Sequence, residues 1–143
     1  MEALFIRRAL KEPAAKRRRA LEAVLRKFLR FWKKTGQQHF REEEEVLLPA
    51  WSRHVRVEQE PLLVRLLAEH AQIRAQIADL EAALESEQPI EKAAAELARL
   101  LHDHVRFEEN EVFPRAEQLL SEKELATLGR SLSWLHPKHS CEI

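Results

Sequence analysis

One eleven-residue pattern occurs twice in the chain, and it limits the possible folds more than any other feature. The first copy is HFREEEEVLLP at residues 39–49, and the second is HVRFEENEVFP at residues 104–114. Each copy has a histidine followed four residues later by a glutamate, and each ends at a proline. Side chains four residues apart on a helix project from one face, about 6 Å apart along the axis. Each copy therefore predicts a helix with an imidazole and a carboxylate side by side.

The composition favours helices throughout the chain. Its 143 residues fit one domain with a sizeable core. It has only two glycines and no tyrosine, and it is rich in Leu, Ala, Glu, Arg and Lys, which favour helices. We predict an all-α, up-down four-helix bundle over residues 1–135, with a short first helix and a short C-terminal helix. A flexible C-terminal tail is expected at residues 136–143.

The charges are balanced in total but not along the chain. Residues 1–41 hold 13 Lys or Arg against 3 acidic residues, and the rest hold 11 against 21. Such a basic segment can indicate a nucleic-acid or acidic-lipid partner. Here the basic residues alternate with a strong apolar stripe, as on a solvated helix face that neighbours acidic helices. We therefore expect no nucleic-acid binding.

Cysteine content and hydropathy indicate the compartment. A single cysteine excludes a disulfide within the chain, and no apolar run approaches the roughly 20 residues that cross a membrane. The apolar stretch ALFI at residues 3–6 is too short for the core of a signal peptide. A soluble protein of a reducing compartment is expected, with the cytoplasm as the default.

Three apolar stripes with helical spacing each carry a histidine. The stripe from Leu21 to Trp32 continues to His39 and Glu43, and the stripe over residues 63–84 contains His70. The stripe over residues 93–112 contains a further histidine and glutamate. Prolines mark helix starts at residues 13, 61 and 89, Pro49 lies near the end of its helix, and residues 51–59 are expected to connect two helices. A capping box at residues 121–124 predicts a last short helix.

These stripes predict five polar side chains at one level of the core: His39, Glu43, His70, His104 and Glu108. Taken alone, a buried histidine is more often a core residue, and a histidine–glutamate pair is often only a polar pair. Together, two buried carboxylates and three imidazoles are costly unless a cation offsets them. We therefore predict a metal site. Mixed imidazole and carboxylate donors suit iron, manganese or catalytic zinc.

The segments HFREEEEVLLP, LLAEHAQIR and HVRFEENEVFP resemble the hemerythrin-like (HHE cation-binding) family, from about Ala14 to Pro114. The resemblance implies a four-helix bundle with two iron ions between its helices, joined by an oxo or hydroxo bridge. His39, His70 and His104 would be terminal iron ligands, and Glu43 and Glu108 would bridge the irons.

The chain departs from the family pattern in two places. The family usually has a further histidine on the first helix, which would fall at or before Met1 here, and this sequence has none there. A second histidine on the helix of His70 is also absent, since positions 66 and 74 are Leu and Arg. Two explanations remain open: a start trimmed relative to the gene product, or an iron with one protein ligand fewer, which would be weakly held.

The function that this resemblance implies is that of a non-haem di-iron protein. It would bind or sense dioxygen, NO or peroxide, or handle iron, with Phe28, Trp32, Leu66 and Leu101 excluding water. A di-iron oxidase or peroxidase is an alternative, and so is a metal-free helical interaction module. A homodimer is expected because the short first helix would leave apolar surface exposed.

Other polar residues are expected to lie outside the site. Glu44, Glu45 and Glu109 lean about 100° per step off the ligand face, so we expect them to be solvated or paired with Arg41 and Arg106. His102 should flank the site and His54 should lie in a loop or at a helix end. The remaining candidates, His136, His139 and Cys141, belong to the predicted tail.

Overall fold

The computed structural model describes residues 2–132, with side chains through residue 129. The predicted tail at residues 136–143 lies outside the described residues. Every regular element between residues 2 and 132 is helical, which confirms the all-α class. Within this part of the chain no helix is long and apolar enough to span a lipid bilayer.

Five helices, α1 to α5, follow one another in the described part of the chain. Helix α1 is Glu2–Leu10, α3 is Pro61–Glu85 and α5 is Glu122–Leu132. Helix α2 runs without interruption over residues 14–52, as Ala14–Phe31, Gln37–Glu42 and Leu48–Ser52, with π-helical turns at Trp32–Gly36 and Glu43–Leu47. Helix α4 runs over residues 91–119, as Glu91–Phe107 and Phe113–Leu119, with a π-helical turn at Glu108–Val112. A short 3-10 turn, Val57–Gln59, precedes α3.

Local sequence determines where several helices begin. Pro13 immediately precedes α2, and Pro61 is the first residue of α3, where its missing N–H costs nothing. Helix α5 begins at the predicted capping box: the backbone N–H of Glu124 donates to Ser121 Oγ (3.1 Å), and the backbone N–H of Ser121 donates to Glu124 Oε1 (3.0 Å). These starts agree with the sequence analysis.

The core has two apolar clusters, one on each side of the polar level. Helix α1 packs against α2 and α4, and α3 packs against α4. The first cluster contains Phe28 and Ile73, and the second contains Leu66 and Phe107. His70 therefore lies on α3 between a residue of each cluster. Burying one such side chain contributes about 1.5–3 kcal/mol, so the two clusters stabilise the packing of the helices around the polar level.

The predicted connection at residues 51–59 begins too early. Trp51 lies in the last turn of α2 and is fully buried in the second cluster. The connection therefore covers residues 53–60.

Gly36 is the last residue of the π-helical turn Trp32–Gly36 in α2. A Cβ atom at this position would overlap the Trp32 ring, so glycine is required by a close approach. The buried Trp32 ring packs edge-on against Phe40, with their centroids 5.0 Å apart. The turn Trp32–Gly36 thus directs an aromatic pair towards the polar level.

The prolines at the ends of the repeated pattern do not stop their helices. In both copies a π-helical turn begins at the glutamate that lies four residues after the histidine. The residue before the proline donates the hydrogen bond that closes this turn, to the carbonyl five residues earlier. The Leu48 N–H donates to the Glu43 carbonyl, and the Phe113 N–H donates to the Glu108 carbonyl. Proline lacks an N–H and its ring clashes with the carbonyl four residues earlier in a regular helix. The wider turn relieves both problems, so each helix continues past its proline.

Candidate metal centre

Three helices bring the five predicted side chains together. Helix α2 supplies His39 and Glu43, α3 supplies His70, and α4 supplies His104 and Glu108. Both carboxylates and His70 are fully buried, and His104 is nearly so. The side chain of His39 retains 12% of its exposure. The group therefore has one edge, at His39, that is nearer to solvent.

The donor atoms are close enough to share metal ions. Four of the residues, Glu43, His70, His104 and Glu108, each offer one donor atom within 4.8 Å of the others. His39 joins them through its Nε2 atom, which lies 2.6 Å from Glu43 Oε1 and 3.9 Å from Glu108 Oε2. Their role as ligands stays a prediction.

His104 lies between two carboxylates. Its Nε2 atom contacts Glu108 Oε1, and its Nδ1 atom donates to Glu69 Oε1 at 2.9 Å. Burial lowers the pKa of His104, but its hydrogen bonds to Glu108 and Glu69 outweigh burial and raise the pKa to about 9. A metal ion binding at Nε2 would displace a proton from this ring.

His70 has the opposite electrostatic environment. Burial lowers its pKa to about 4, and the nearby His104 contributes to the shift. Its Nδ1 atom lies 3.4 Å from Glu44 Oε1. Its Nε2 atom makes no hydrogen bond in the described part of the chain and lies 4.0 Å from Glu43 Oε1. A neutral imidazole whose Nε2 atom lies near a carboxylate is suited to bind a cation.

Phe40 forms an aromatic wall beside the histidines. Its ring stacks on His70 with centroids 3.8 Å apart and an interplanar angle of 4°, and it meets the His104 ring edge-on at 5.4 Å. The sequence analysis did not single out Phe40, although it directly follows His39. Of the predicted lining residues, Phe28, Trp32 and Leu66 are buried, and Leu101 is partly buried.

The prediction for Glu44 was wrong. This glutamate pairs with neither Arg41 nor Arg106; it accepts two hydrogen bonds from Arg74, at 2.7 and 2.9 Å, and lies beside His70. The Arg74 hydrogen bonds hold the pKa of Glu44 below its usual value. Glu44 is not solvated because His70 and Arg74 of α3 lie beside it, whereas Glu109, in the equivalent π-helical turn of the second copy, is exposed.

Glu69 was also missed. It lies one residue before His70 on α3 and bonds to His104 on the neighbouring helix. A carboxylate next to a candidate ligand was the available sequence signal, but choosing which ring it reaches requires the packing of α3 on α4.

The other secondary candidates lie away from the donors. Glu45 and Glu109 are exposed, as expected, and Arg41 donates to Gln38 at 3.0 Å. His54 follows the end of α2 and pairs with Glu124 at 2.8 Å. These contacts contribute to the surface of the fold.

The donor chemistry fits a metal ion of intermediate hardness. Three imidazoles and two carboxylates, with no thiolate among them, suit iron, manganese or zinc. Two fully buried carboxylates so close together also need positive charge nearby. The residues present therefore match a cation site in both type and charge.

Comparisons with known proteins identify the family. The model of the Hemerythrin HHE cation binding domain matches residues 2–116, a span that contains all five predicted side chains. Comparisons with curated proteins and with solved structures found no match. The chain belongs to the hemerythrin HHE cation-binding domain family.

Proposed function

We propose that this protein holds two iron ions between α2, α3 and α4 and binds or senses dioxygen or a related small oxidant, such as NO or peroxide. The observation that carries the proposal is the layer of two fully buried carboxylates and three imidazoles between two apolar clusters. Without cations this layer would be strongly unfavourable.

The geometry supports distinct roles for the carboxylates and the imidazoles. Glu43 lies between His39 and His70, with its Oε1 atom 2.6 and 4.0 Å from their Nε2 atoms. Glu108 lies between His39, at 3.9 Å, and His104, which it contacts. Because each carboxylate adjoins two imidazoles, we assign Glu43 and Glu108 as bridging ligands. The three histidines are then terminal ligands, and an oxo or hydroxo bridge completes the proposed centre.

The surrounding residues suit reversible chemistry with a small apolar molecule. A pair of iron ions, when bound, supplies redox electrons for the reaction with an oxidant. Phe40 stacks on His70 and meets His104 edge-on, and the buried Trp32 ring packs against Phe40. Leu66, one turn before His70 on α3, is fully buried. Such an apolar wall excludes water and lowers the local polarity around the donors.

The fold and assembly are part of the proposal. We propose that α1 to α4 form the up-down four-helix bundle expected for this family, since α1 packs against both α2 and α4. Leu4, Phe5, Phe31 and Val105 are 40–48% exposed, and a second copy of the chain would cover them in a homodimer. Light scattering tests this assembly, and a monomer would contradict it. The cytoplasm is the proposed compartment, in line with the single cysteine.

Anaerobic iron loading tests the proposed function. We expect two irons per chain after desalting, and ultraviolet charge-transfer bands when the protein meets air. The matched control is His54→Ala, which removes an imidazole remote from the donors and should change neither result.

The same experiment separates the alternatives. Bands that disappear when dioxygen is removed support binding or sensing, whereas steady consumption of peroxide or dioxygen identifies an oxidase or peroxidase. Less than one iron per chain and no bands would contradict a metal function and favour a helical interaction module.

A further inference from the structure

We propose that Glu44 and Glu69 are positioning residues that hold the rings of His70 and His104 with Nδ1 as a hydrogen-bond donor and Nε2 directed at the metal. The inference rests on the proposed function because it concerns the Nδ1 atoms of two proposed metal ligands, on the side of each ring away from the metal. It adds residues that donate nothing to the metal themselves.

The first arrangement connects Arg65, Glu69 and His104. The two oxygens of Glu69 have separate partners: Oε1 accepts from His104 Nδ1 at 2.9 Å, and Oε2 accepts from Arg65 Nε at 2.6 Å. The guanidinium of Arg65 lies over the Phe107 ring, 3.9 Å from its centroid. Arg65, which packs on Phe107, thus holds Glu69 from outside while Glu69 orients the imidazole of His104 inside.

The second arrangement repeats the first with different residues. Glu44 Oε1 lies 3.4 Å from His70 Nδ1, and Arg74 binds both oxygens of Glu44. The Arg74 guanidinium lies over the Phe40 ring, 5.4 Å from its centroid, and that ring stacks on His70. An arginine on an aromatic ring, a carboxylate and an imidazole therefore occur in the same order twice.

Helix α3 joins the two arrangements. It carries both arginines, and it also carries His70 and Glu69 at adjacent positions. A glutamate of α2 thus supports the ligand on α3, and a glutamate of α3 supports the ligand on α4. A shift of α3 along its axis would disturb both imidazoles together.

Stability alone does not explain these contacts. The arginine side chains are 50% and 40% exposed, and ion pairs with such exposure contribute little to folding. A charged acceptor on Nδ1, in contrast, fixes the ring orientation and makes Nε2 a stronger donor to a metal. The geometry points to that role.

The first test needs no metal. Long-range ¹⁵N–¹H correlation spectra of the metal-free protein show which ring nitrogen of His70 carries the proton. The control is Glu81→Leu, which removes a glutamate that lies on α3 with His70 but pairs with Lys33 of α2. The native chain and this control should both show the Nδ1–H form of His70. Glu44→Leu should populate the Nε2–H form, and an unchanged tautomer would overturn the role of Glu44.

The second test measures Zn²⁺ affinity by competition with a chelator. Glu44→Leu and Glu69→Leu should each weaken binding by about 10–100-fold. Glu69→Gln keeps an acceptor for Nδ1 and should restore most of the affinity. The control Glu111→Leu removes another partner of Arg65 that contacts no imidazole, so it should bind Zn²⁺ as the native chain does.

The outcomes separate this inference from the proposed function. Unchanged affinity in both leucine variants, or an equal loss in Glu111→Leu, would overturn the positioning role. If the native chain binds no Zn²⁺ and no iron, the proposed function fails, and the tautomer test still decides the role of Glu44. If a leucine variant does not fold, the corresponding glutamine variant, Glu44→Gln or Glu69→Gln, takes its place. A Zn²⁺ affinity in that glutamine variant as low as in a variant that lacks a proposed metal ligand would contradict the positioning role.

Discussion

The two copies of the repeated pattern fold alike but have different surroundings. In both, a π-helical turn begins at the glutamate and the helix continues past a proline. The histidine of the first copy, His39, retains 12% of its side-chain exposure, and that of the second, His104, only 4%. The residue that follows the glutamate of each copy also differs in its surroundings: Glu44 binds Arg74, whereas Glu109 is exposed.

This difference shows that the pattern fixes the local helix and that packing fixes the chemical role. The same backbone turn places a second glutamate after each proposed bridging carboxylate. Only the glutamate of the first copy faces α3, where an arginine and an imidazole are available to it. A repeat in sequence therefore gives a partly asymmetric centre.

The largest effect is expected from removing either fully buried carboxylate. Glu43→Gln and Glu108→Gln should each reduce bound iron from two ions to one or fewer, because each carboxylate is proposed to serve both metals. Iron analysis after desalting measures the loss. Full retention in one of the two variants would show that the copies are not equivalent as bridges.

The histidines should then separate the copies. His104→Gly removes a buried ligand, so we expect iron loss that added imidazole does not repair. His39→Gly leaves a gap at the more exposed edge, where free imidazole should restore binding. Iron retention with and without imidazole checks this, and equal rescue of both variants would remove the proposed asymmetry.

A third substitution changes the π-helical turn Trp32–Gly36, which precedes the first copy of the pattern and has no counterpart directly before the second. Gly36→Ala would force a methyl group against the Trp32 ring, and such overpacking destabilises by about 1–3 kcal/mol. Gly129→Ala is the matched control, because a Cβ there meets nothing within 4 Å. It should stabilise α5 by about 1 kcal/mol. Thermal unfolding measures both, and equal shifts would contradict the close approach.

The smallest effect is expected at the second copy's exposed glutamate. Glu109→Ala should change the free energy of unfolding by less than about 0.5 kcal/mol, with iron content unchanged. Denaturant unfolding and iron analysis check the two parts. A clear loss of iron would give Glu109 a role like that of Glu44.

Much of the fold follows from the sequence. The apolar stripes predicted the all-α class and placed all five polar side chains at one level. Proline and the capping box at Ser121 located helix starts because these residues act through local backbone geometry. The site was predictable for a related reason, since helical spacing alone puts His39 beside Glu43.

The wide turns and their consequences were not predictable by spacing. A π-helical turn depends on packing and on hydrogen bonds that propensity does not encode, and it changes which face the next residue occupies. Glu44 was placed on the surface because its partners, His70 and Arg74, belong to α3 and could not be assigned from spacing within α2. Phe40 and Glu69 were missed because their partners lie on other helices.

The most direct test of the account is an anomalous difference map, collected at the iron absorption edge, from a crystal of the iron-loaded protein. The account predicts two peaks between Glu43 and Glu108, each within bonding distance of histidine Nε2 atoms. Iron found only on the surface, or a buried layer without iron after loading, would contradict the claim that cations stabilise these buried carboxylates and imidazoles.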